Sequence, residues 1–500
     1  MTANLTRRAL LATALSSVAT VAFANAPDVS LRPKQRPDWD PATSPFIRVP
    51  ADGIVTDAKL NGVTGYIVKD MRTGRTLEAG ASGTALPPAS VSKAVTSLFA
   101  LDTLGPAHRF RTRLLATGPL VNGILQGDLI LAGGGDPNLV TDELGALVDN
   151  FIASGITQIT GKFQVWGEAL EYREEIDPPQ LDHLGYNPSI SGLNLNFNRV
   201  HFEWKRAGTN YTVSMDARSA TRRPEVYTSR MRVVDRAVPV FTYAKSGAID
   251  DWTVARRALG RGGSRWLPVR NPALYAADVF QTLARAGGVA LPNPEKIAAL
   301  PSGNQLAVFE GAPLTAVLQD MLRFSTNITA EGVGLTATRA IDSAARGIGN
   351  SAAAMTRWTQ ARAGGDAAFM DHSGLSDRSK ISAGDMTTLL MSEGANAALW
   401  PILKKIRLTD EDGNDLADFP AEVRAKTGTL NFVSTLAGYI RTAEGHDLAF
   451  TIFSADLAAR AAGKASGDEQ PAGSLSWNRR AKRMQQRLLQ RWAIAYPENS

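Results

Sequence analysis

Three short motifs, spread along the chain in a fixed order, constrain its fold more than any other feature. They are Ser90-Val91-Ser92-Lys93, Ser325-Thr326-Asn327 and Lys426-Thr427-Gly428. Each supplies what a serine acyl-transfer centre lacks without the others: a nucleophile with an amine, a hydroxyl with an amide, and a cation beside backbone donors. Ser325 follows Lys93 by 232 positions, far more than one helical layer requires. The sequence therefore predicts one site in a domain that is split by a large insertion.

The first motif is expected at the start of a buried helix. Pro87-Pro88-Ala89 precedes Ser90 and an apolar run follows Lys93, a pattern typical of a helix N-terminus. The i,i+3 spacing puts Lys93 on the same face as Ser90, and burial makes an amine easier to deprotonate. We expect Ser90 to be the nucleophile and Lys93 its general base. Taken alone, the motif also fits a capping serine beside a surface lysine.

The second motif follows a segment with helical spacing and adds a hydroxyl and an amide. Ser325 can pass a proton between Lys93 and the leaving nitrogen of a substrate. Asn327 can hydrogen-bond Lys93 or the substrate amide. As an isolated tripeptide, this motif is equally typical of a helix cap or a turn.

The third motif is expected on a strand that binds an extended peptide. Lys426, Thr427 and Thr429 would hold a substrate carboxylate, and Gly428 would let the substrate approach closely. The backbone N–H groups of Thr429 and Ser90 would form the oxyanion hole. Without the other two motifs, this one would be read as a surface loop.

Composition excludes several other classes of function. The 500 residues are 44% hydrophobic, which is ordinary for a globular chain, and a formal charge of +6 is too small to indicate nucleic-acid binding. The chain has no cysteine, so disulfides, thiol nucleophiles and cysteine-based metal sites are excluded. The five histidines have no i,i+3 or i,i+4 partners among themselves, and we expect neither a metal nor another cofactor.

The N-terminus has the pattern of an export signal. Arg7-Arg8 precedes an apolar run over 9–23, and Ala24-Asn25-Ala26 is a small-x-small cleavage site. Cleavage after Ala26 would release the protein into the periplasm, by the general secretory or the twin-arginine route. An uncleaved anchor is disfavoured, because the apolar run is shorter than the roughly 20 residues that a membrane span needs.

The C-terminal segment over 477–492 is a predicted basic amphipathic helix. Its apolar face carries Trp477, Ala481, Met484 and Leu488, with arginines mostly elsewhere. Such a helix packs on its own sheet or makes a peripheral membrane contact, and the first alternative is favoured.

The remaining pattern predicts an α/β (α+β) catalytic domain built from both chain ends. Two hairpins, at 65–77 and 434–453, and the strand bearing Lys426 can form one antiparallel sheet. Residues 283–403 have helical character, whereas 111–243 are mainly strands. The expected organisation is a signal peptide over 1–26, a catalytic domain over 27–108 and 283–500, an inserted domain II over 109–150 and 236–282, and an inserted β-rich domain III over 151–235.

On these motifs the chain resembles the serine D-alanyl-D-alanine carboxypeptidases/endopeptidases among the low-molecular-mass penicillin-binding proteins, in the subgroup with a large insertion between the first two motifs. Further stretches carry the resemblance: Gly127-Asp128-Leu129, Gly135-Asp136-Pro137-Asn138-Leu139, Tyr186-Asn187-Pro188, Leu195-Asn196-Phe197-Asn198 and Asp371-His372-Ser373-Gly374-Leu375-Ser376. The resemblance implies a penicillin-recognising serine transpeptidase/β-lactamase-like fold and an acyl-enzyme. It also implies cleavage of D-Ala-D-Ala termini or cross-links in peptidoglycan stem peptides, and acylation by β-lactam antibiotics.

Two alternatives remain at this point. A serine β-lactamase shares the three motifs, although the inserted mass argues against it and no Glu-x-x-x-Asn segment of the kind that positions a deacylating water is found. A non-catalytic cell-wall-binding protein would retain the fold without the reaction. His372 stands where the resembled proteins usually have glycine, and we expect it to alter the rim of the cleft. The balance of carboxypeptidase and endopeptidase activity and the oligomeric state are left open.

Overall fold

A computed structural model describes residues 48–410, 412–417 and 419–496, so the expected signal peptide over 1–26 lies outside the described residues. The helices are α1 (Ala51–Asp57), α2 (Ser92–Leu104), α3 (Thr141–Ala153), α4 (Pro272–Ala286), α5 (Leu314–Phe324), α6 (Asn327–Ile341), α7 (Gly347–Ala363), α8 (Ala383–Leu390), α9 (Ala395–Leu399), α10 (Leu457–Ser466) and α11 (Ser474–Ala495). Short 3₁₀ turns cover Ala89–Val91, Asn196–Asn198 and Arg256–Ala258.

The strands fall into two groups along the chain. Those up to Trp166 are β1 (Val63–Asp70), β2 (Thr76–Gly80), β3 (Ala85–Leu86), β4 (Arg111–Ala116), β5 (Leu120–Val121), β6 (Ile124–Leu125), β7 (Leu129–Gly133), β8 (Gln158–Ile159) and β9 (Phe163–Trp166). The later ones are β10 (Arg199–Ala207), β11 (Asn210–Asp216), β12 (Ser229–Val234), β13 (Phe241–Ser246), β14 (Ile249–Ala255), β15 (Gly262–Pro268), β16 (Glu295–Ile297), β17 (Asn304–Glu310), β18 (Ile381–Ser382), β19 (Glu422–Leu430), β20 (Val433–Arg441) and β21 (Asp447–Ala455).

The two ends of the described chain share one antiparallel sheet in the order β19-β20-β21-β1-β2. Strands from the two ends of the sequence meet where β1 pairs with β21, with Tyr66 opposite Ile452. Both predicted hairpins and their union with the strand bearing Lys426 are therefore confirmed. Strand β19 is an edge strand, which leaves one side of the third motif open to a ligand.

Helices cover both faces of this sheet. On one face, α2 and α5 to α9 enclose a core that includes Phe99, Leu318 and Met386. The spacing that predicted α5 is confirmed, since Leu314, Val317, Leu318, Met321 and Leu322 are all buried. Burial of such side chains contributes roughly 25 cal/mol per Å² of apolar area, which holds α2 and its first-turn residues in place.

The other face of the sheet is covered by α1 and α11. Met484, Leu488 and Trp492 pack with Tyr66 and Phe450 of the strands, so the amphipathic helix lies on its own sheet as favoured from the sequence. This packing buries the apolar face of the helix. Within the described ranges, no helix combines the length and apolar character needed to cross a bilayer.

The insertion contains a mixed five-stranded sheet in the order β16-β9-β7-β4-β17 and three three-stranded sheets, β11-β10-β15, β12-β14-β13 and β5-β6-β8. Helices α3 and α4 pack on this assembly around a second core that includes Phe163, Phe202 and Phe280. Residues 295–297 and 304–310 are strands, so the expectation of helical structure throughout 283–403 was wrong there. Pairing of β17 with β4 overrides the local helical character, because cross-strand contacts outweigh weak propensity.

Candidate active site

Ser90 and Lys93 occupy the junction that the sequence predicted. Ser90 lies in the 3₁₀ turn over Ala89–Val91, and α2 begins at Ser92 with its first nine residues buried. The Lys93 amine is fully buried and donates to Ser90 Oγ at 3.0 Å, to Asn327 Oδ1 at 2.8 Å and to the Ser373 carbonyl at 2.7 Å. All three amine donors of the protonated form are therefore engaged.

The environment of Lys93 favours loss of its proton. Burial lowers the pKa of Lys93 to about 8, although the nearby Asp371 and Glu331 carboxyl groups oppose the shift. An amine with such a pKa exists partly in the neutral form near neutral pH, as a general base requires. The expectation that burial would lower this pKa is confirmed.

The second motif connects two helices beside Lys93. Ser325 ends α5 in the left-handed conformation, with φ of 60°, and α6 begins at Asn327. This reversal directs Ser325 and Asn327 to the same cleft. Asn327 accepts from Lys93 through Oδ1, and its Nδ2 donates to the Tyr186 carbonyl at 2.9 Å. The amide orientation is thus set by both partners, and the inserted region supplies one of them.

Lys426 faces the second motif from strand β19. Its Nζ donates to Ser325 Oγ at 3.1 Å and to the Thr427 carbonyl at 2.7 Å. Burial lowers the pKa of Lys426 well below its ordinary value, and the positive charge of Lys93 lowers it further. The Ser325 hydroxyl is therefore within hydrogen-bond distance of the Lys426 amine, and a proton can pass between these two groups.

Gly428 brings strand β19 against the start of α2. A Cβ at position 428 would lie 2.9 Å from the backbone nitrogen of Ser90, so a side chain would force the two segments apart. Thr435 on the neighbouring strand donates to the Pro88 carbonyl at 2.8 Å and fixes the same approach. The close packing explains why this position requires glycine.

The free edge of β19 presents backbone donors to the cleft. Ala425 donates its N–H across this edge to the Lys404 carbonyl at 3.1 Å. Because N–H direction alternates along a strand, Thr427 and Thr429 point their N–H groups to the same side. In the part of the chain that the structure describes, no strand pairs with the edge at these two residues. The arrangement suits an extended substrate and an oxyanion between the Thr429 and Ser90 N–H groups.

Sequence reasoning missed Glu331, a buried carboxylate that holds the loop over residues 372–373 next to Lys93. Its carboxylate accepts from the Ser373 N–H at 2.9 Å and from the His372 N–H at 3.1 Å. These bonds hold the loop whose Ser373 carbonyl accepts from Lys93. Glu331 follows Asn327 by four positions on α6, and this i,i+4 relation was an available indication that both side chains lie on the same face of the helix.

Asp371 stabilises the other side of the same loop. It accepts from the N–H groups of Gly374 and Ser376, each at 2.7 Å. Burial raises the pKa of both Glu331 and Asp371, and repulsion between the two carboxylates adds to the shift for Glu331. Across the described residues, no three histidine and carboxylate side chains converge in the manner of a metal site.

His372 does not line the cleft, so the expectation that it would alter the rim was wrong. Its side chain is fully buried, with Nε2 2.7 Å from Ser351 Oγ and its ring stacked on Phe99. Gly334 leaves room for the ring, since a Cβ there would collide with it. Burial lowers the pKa of His372 to about 3. The substitution is accommodated by the core and does not change the substrate surface.

The sequence and the fold were compared with known proteins. Residues 50–472 match the family described as D-Ala-D-Ala carboxypeptidase 3 (S13). The chain is 28% identical over 450 residues to a D-alanyl-D-alanine carboxypeptidase of Actinomadura sp. (strain R39), covering 81% of this chain and 80% of that protein. It is 24% identical over 419 residues to the D-alanyl-D-alanine carboxypeptidase DacB of Haemophilus influenzae, covering 78% and 84% of the two chains.

The fold is similar to a solved structure of this class. The crystal structure of penicillin binding protein 4 (dacB) from Haemophilus influenzae superposes with a TM-score of 0.69 at 20% identity, covering 88% of this chain and 99% of that one. The predicted α+β penicillin-binding fold with additional β domains is thereby confirmed. The family match extends through all three motifs and the insertion. The chain belongs to the D-Ala-D-Ala carboxypeptidase 3 (S13) family and is a serine-type carboxypeptidase that acts on peptidoglycan.

Proposed function

We propose that Ser90 is the nucleophile and Lys93 the general base of this peptidase. The observation that carries the proposal is the 3.0 Å separation of Lys93 Nζ from Ser90 Oγ in a buried setting that lowers the lysine pKa. The neutral amine takes the hydroxyl proton as Ser90 Oγ bonds to the substrate carbonyl carbon. Negative charge then develops on the carbonyl oxygen, where the Ser90 and Thr429 N–H groups stabilise it.

Ser325 carries the proton onward in the proposed reaction. The scissile C–N bond breaks as the leaving nitrogen receives a proton from Ser325, which is replenished from the Lys93 amine. The products are the Ser90 ester and a free amine. Water then attacks the ester, returns its proton to the base and releases a carboxylic acid and Ser90. Asn327 is proposed to position the Lys93 amine for these proton transfers. The 2.8 Å hydrogen bond from Lys93 Nζ to Asn327 Oδ1 supports this role.

The third motif is proposed to recognise the substrate. Lys426, Thr427 and Thr429 would bind the carboxylate next to the scissile bond, while Gly428 keeps the strand close to Ser90. The pKa of Lys426 is lowered by burial and by the charge of Lys93. A substrate carboxylate supplies the opposite charge and favours the protonated lysine. Binding of the substrate would therefore raise the pKa of Lys426 and favour the charged amine that holds the substrate carboxylate.

The proposed substrates are D-Ala-D-Ala termini and cross-links of peptidoglycan stem peptides, with β-lactams as acylating analogues. The Haemophilus influenzae protein of similar fold has also been solved in complex with a β-lactam. Digestion of purified peptidoglycan, with products identified by mass spectrometry, tests the activity. Release of D-alanine or of uncrosslinked peptides is expected. Sustained fast hydrolysis of nitrocefin would indicate a β-lactamase instead.

Export to the periplasm is proposed from the N-terminal pattern. Arg7-Arg8, the apolar run over 9–23 and the Ala24-Asn25-Ala26 site support removal of residues 1–26. The substrate also lies outside the cytoplasmic membrane. N-terminal sequencing of the mature protein should begin at Pro27 or close to it. Replacement of Arg7 and Arg8 by lysine would block export only if the twin-arginine route is used.

The domain division is likewise proposed. Strand pairing supports a catalytic domain that includes the β19-β20-β21-β1-β2 sheet, with the inserted domains between α2 and α5. Because β16 and β17 pair within the inserted sheet, we propose that the chain returns to the catalytic domain after Glu310 and not at residue 283. Limited proteolysis followed by mass spectrometry should place the most accessible cleavage sites at the two crossings.

A further inference from the structure

A groove with a basic rim runs beside the catalytic strand on the side away from α2. It has a volume of about 560 Å³ and lies between β19 and the outer face of α11. We call it the β19–α11 groove and define it by Thr427, Thr429, Leu436, Arg479, Lys482 and Arg483. Its size is within the range of pockets that hold drug-sized ligands. None of the cleavage roles assigned above uses its cationic wall.

Among the described residues, the cations of this wall make no ion pairs, although Arg483 also lines a neighbouring pocket with Asp57, Asp410 and Asp412. Arg479, Lys482 and Arg483 are exposed on one face of α11, at i, i+3 and i+4. In the same ranges, none of the three has a hydrogen bond or an ion pair. Farther along the same helix, Arg487 pairs with Asp57 and Arg491 with Glu78. No acidic residue lines the groove in the described part of the chain, so its potential favours an anion.

The groove extends toward the leaving side of the scissile bond. In the proposed site, the oxyanion lies at Thr429 and the substrate carboxylate at Lys426 and Thr427, so the leaving residue continues toward the N-terminal half of β19. The groove runs in this direction, from Thr429 past Thr427 to Ile406. Lys404 and Ile406 occupy the edge of that half of the strand, through the Ala425 N–H at 3.1 Å and the Val423 carbonyl at 2.8 Å, so a leaving peptide would turn off the edge into the groove.

We propose that the β19–α11 groove binds the carboxylate-bearing peptide that leaves on cleavage, so that cross-linked stem peptides are preferred over chain termini. A terminal D-alanine carries one carboxylate and ends at Lys426. A cross-linked leaving peptide continues beyond it and brings further carboxylates to Arg479, Lys482 and Arg483. This inference rests on the proposed function, because it takes the position of the scissile bond from that assignment.

A lipid surface fits these observations less well. An interfacial helix needs a free apolar face to enter the headgroup region. In α11 that face is buried, with Trp477, Met484, Leu488 and Trp492 packed on the protein. Leu475 is exposed, but it lines the groove itself and can contact a peptide there. The cations also line a concave groove beside β19. A groove of this shape can enclose an extended peptide, whereas a flat membrane surface cannot enter it.

The test compares kcat/KM for a cross-linked peptide dimer with that for a monomeric peptide ending in D-Ala-D-Ala. In the Arg479→Gln/Lys482→Gln double variant, the dimer-to-monomer ratio should fall about threefold to tenfold, as expected for two exposed charge contacts. The matched control is Arg480→Gln, on the same helix but outside the groove, and its ratio should equal that of the parent. A second measurement uses the parent with a dimer that keeps the carboxylate next to the scissile bond but has the leaving-side carboxylates beyond it amidated; this dimer should be cleaved more slowly than the free acid.

Several outcomes would overturn the groove assignment. They are an unchanged ratio in the double variant, an equal fall in the control, or equal rates for the free and amidated dimers. If the double variant keeps its ratio but loses sedimentation with vesicles containing phosphatidylglycerol, the cations bind lipid and the proposal is wrong. A parent that cleaves neither substrate would overturn the proposed function, and the groove assignment with it. Activity on both substrates with an unchanged ratio would overturn the groove alone.

Discussion

The Lys93 amine lies 3.0 Å from the Ser90 hydroxyl oxygen and 2.7 Å from the Ser373 carbonyl oxygen. The first contact joins residues three apart in sequence, and the second joins residues far apart. These two contacts hold the Lys93 amine beside the proposed nucleophile. In the proposed reaction this geometry pre-organises the proton transfer from Ser90 to Lys93, so little reorganisation is needed when the substrate arrives.

Replacement of the nucleophile is the first prediction. Ser90→Ala should abolish covalent labelling by a fluorescent penicillin, because no other hydroxyl occupies the place of Ser90 in the 3₁₀ turn before α2. Labelling is measured by in-gel fluorescence, with the parent as the positive control. Unchanged thermal unfolding of the variant would show that the fold is retained. Labelling as strong as that of the parent would mean that Ser90 is not the nucleophile.

Lys93 should control the pH dependence of acylation. Its pKa is lowered to about 8 by burial, and only the neutral amine accepts the Ser90 proton. The second-order rate of penicillin acylation should therefore rise with pH and level off above about pH 8. Lys93→Ala should lower this rate on the order of 10²- to 10⁴-fold. A variant that retains the parent rate would remove Lys93 from the role of base.

Lys426→Ala should impair recognition of the substrate carboxylate more than it impairs stability. The side chain contacts Ser325 and the Thr427 carbonyl in the cleft, and its loss leaves the carboxylate without a cation. We expect kcat/KM to fall for a peptide with a free terminal carboxylate and to change much less for the corresponding amide. Steady-state kinetics with this matched pair measure the effect. Equal losses for both peptides would contradict the assignment.

Glu331 should be required to hold the Ser373 loop. Glu331→Ala leaves the buried N–H groups of His372 and Ser373 without their acceptor. The free energy of unfolding should fall by about 1–3 kcal/mol for each N–H group left without a hydrogen bond. Acylation should fall as well, because the Ser373 carbonyl no longer positions Lys93. Glu331→Gln keeps one acceptor oxygen and should restore part of both properties. Denaturant unfolding and penicillin acylation are measured on the same preparations; an alanine variant with parental values would refute this role.

His372 should make the protein sensitive to acid. Burial lowers its pKa from 6.5 to about 3, so the folded state keeps the imidazole neutral while the unfolded chain binds a proton below about pH 6.5. The contribution to stability is complete above that pH and is lost at about 1.4 kcal/mol per pH unit as the pH falls toward 3. His372→Gln should lack this slope. Glu331 and Asp371 titrate in both proteins, so the difference between parent and variant in denaturant unfolding isolates His372; identical slopes would disprove the assignment.

Much of the catalytic domain follows from local pattern. The apolar spacing of α5, the two hairpins and the proline-led start of α2 are properties of short segments, and each is present in the structure. The i,i+3 relation of Ser90 and Lys93 is local as well. For this reason the proximity of Ser90, the proposed nucleophile, and the Lys93 amine could be predicted without any knowledge of the tertiary fold.

The contacts that the other site residues make with distant parts of the chain could be identified only from the tertiary structure. Tyr186 reaches Asn327 from the insertion, and Glu331 binds backbone N–H groups that no side-chain pattern reveals. His372 was expected at the rim but is buried, because Gly334 on a separate segment leaves space for its ring.

The sequence by itself determined which residues are proposed as the reactive groups of this peptidase, their order along the chain and the long segment that separates them. Tertiary structure decided the carbonyl acceptors of Lys93 and Asn327, the path of strands 295–310 into the inserted sheet, and the position of basic α11 residues beside the catalytic strand. The physical reason is the range of the interactions. Helical spacing and turn chemistry act over a few residues, whereas burial, backbone acceptors and charge placement arise when distant segments pack together.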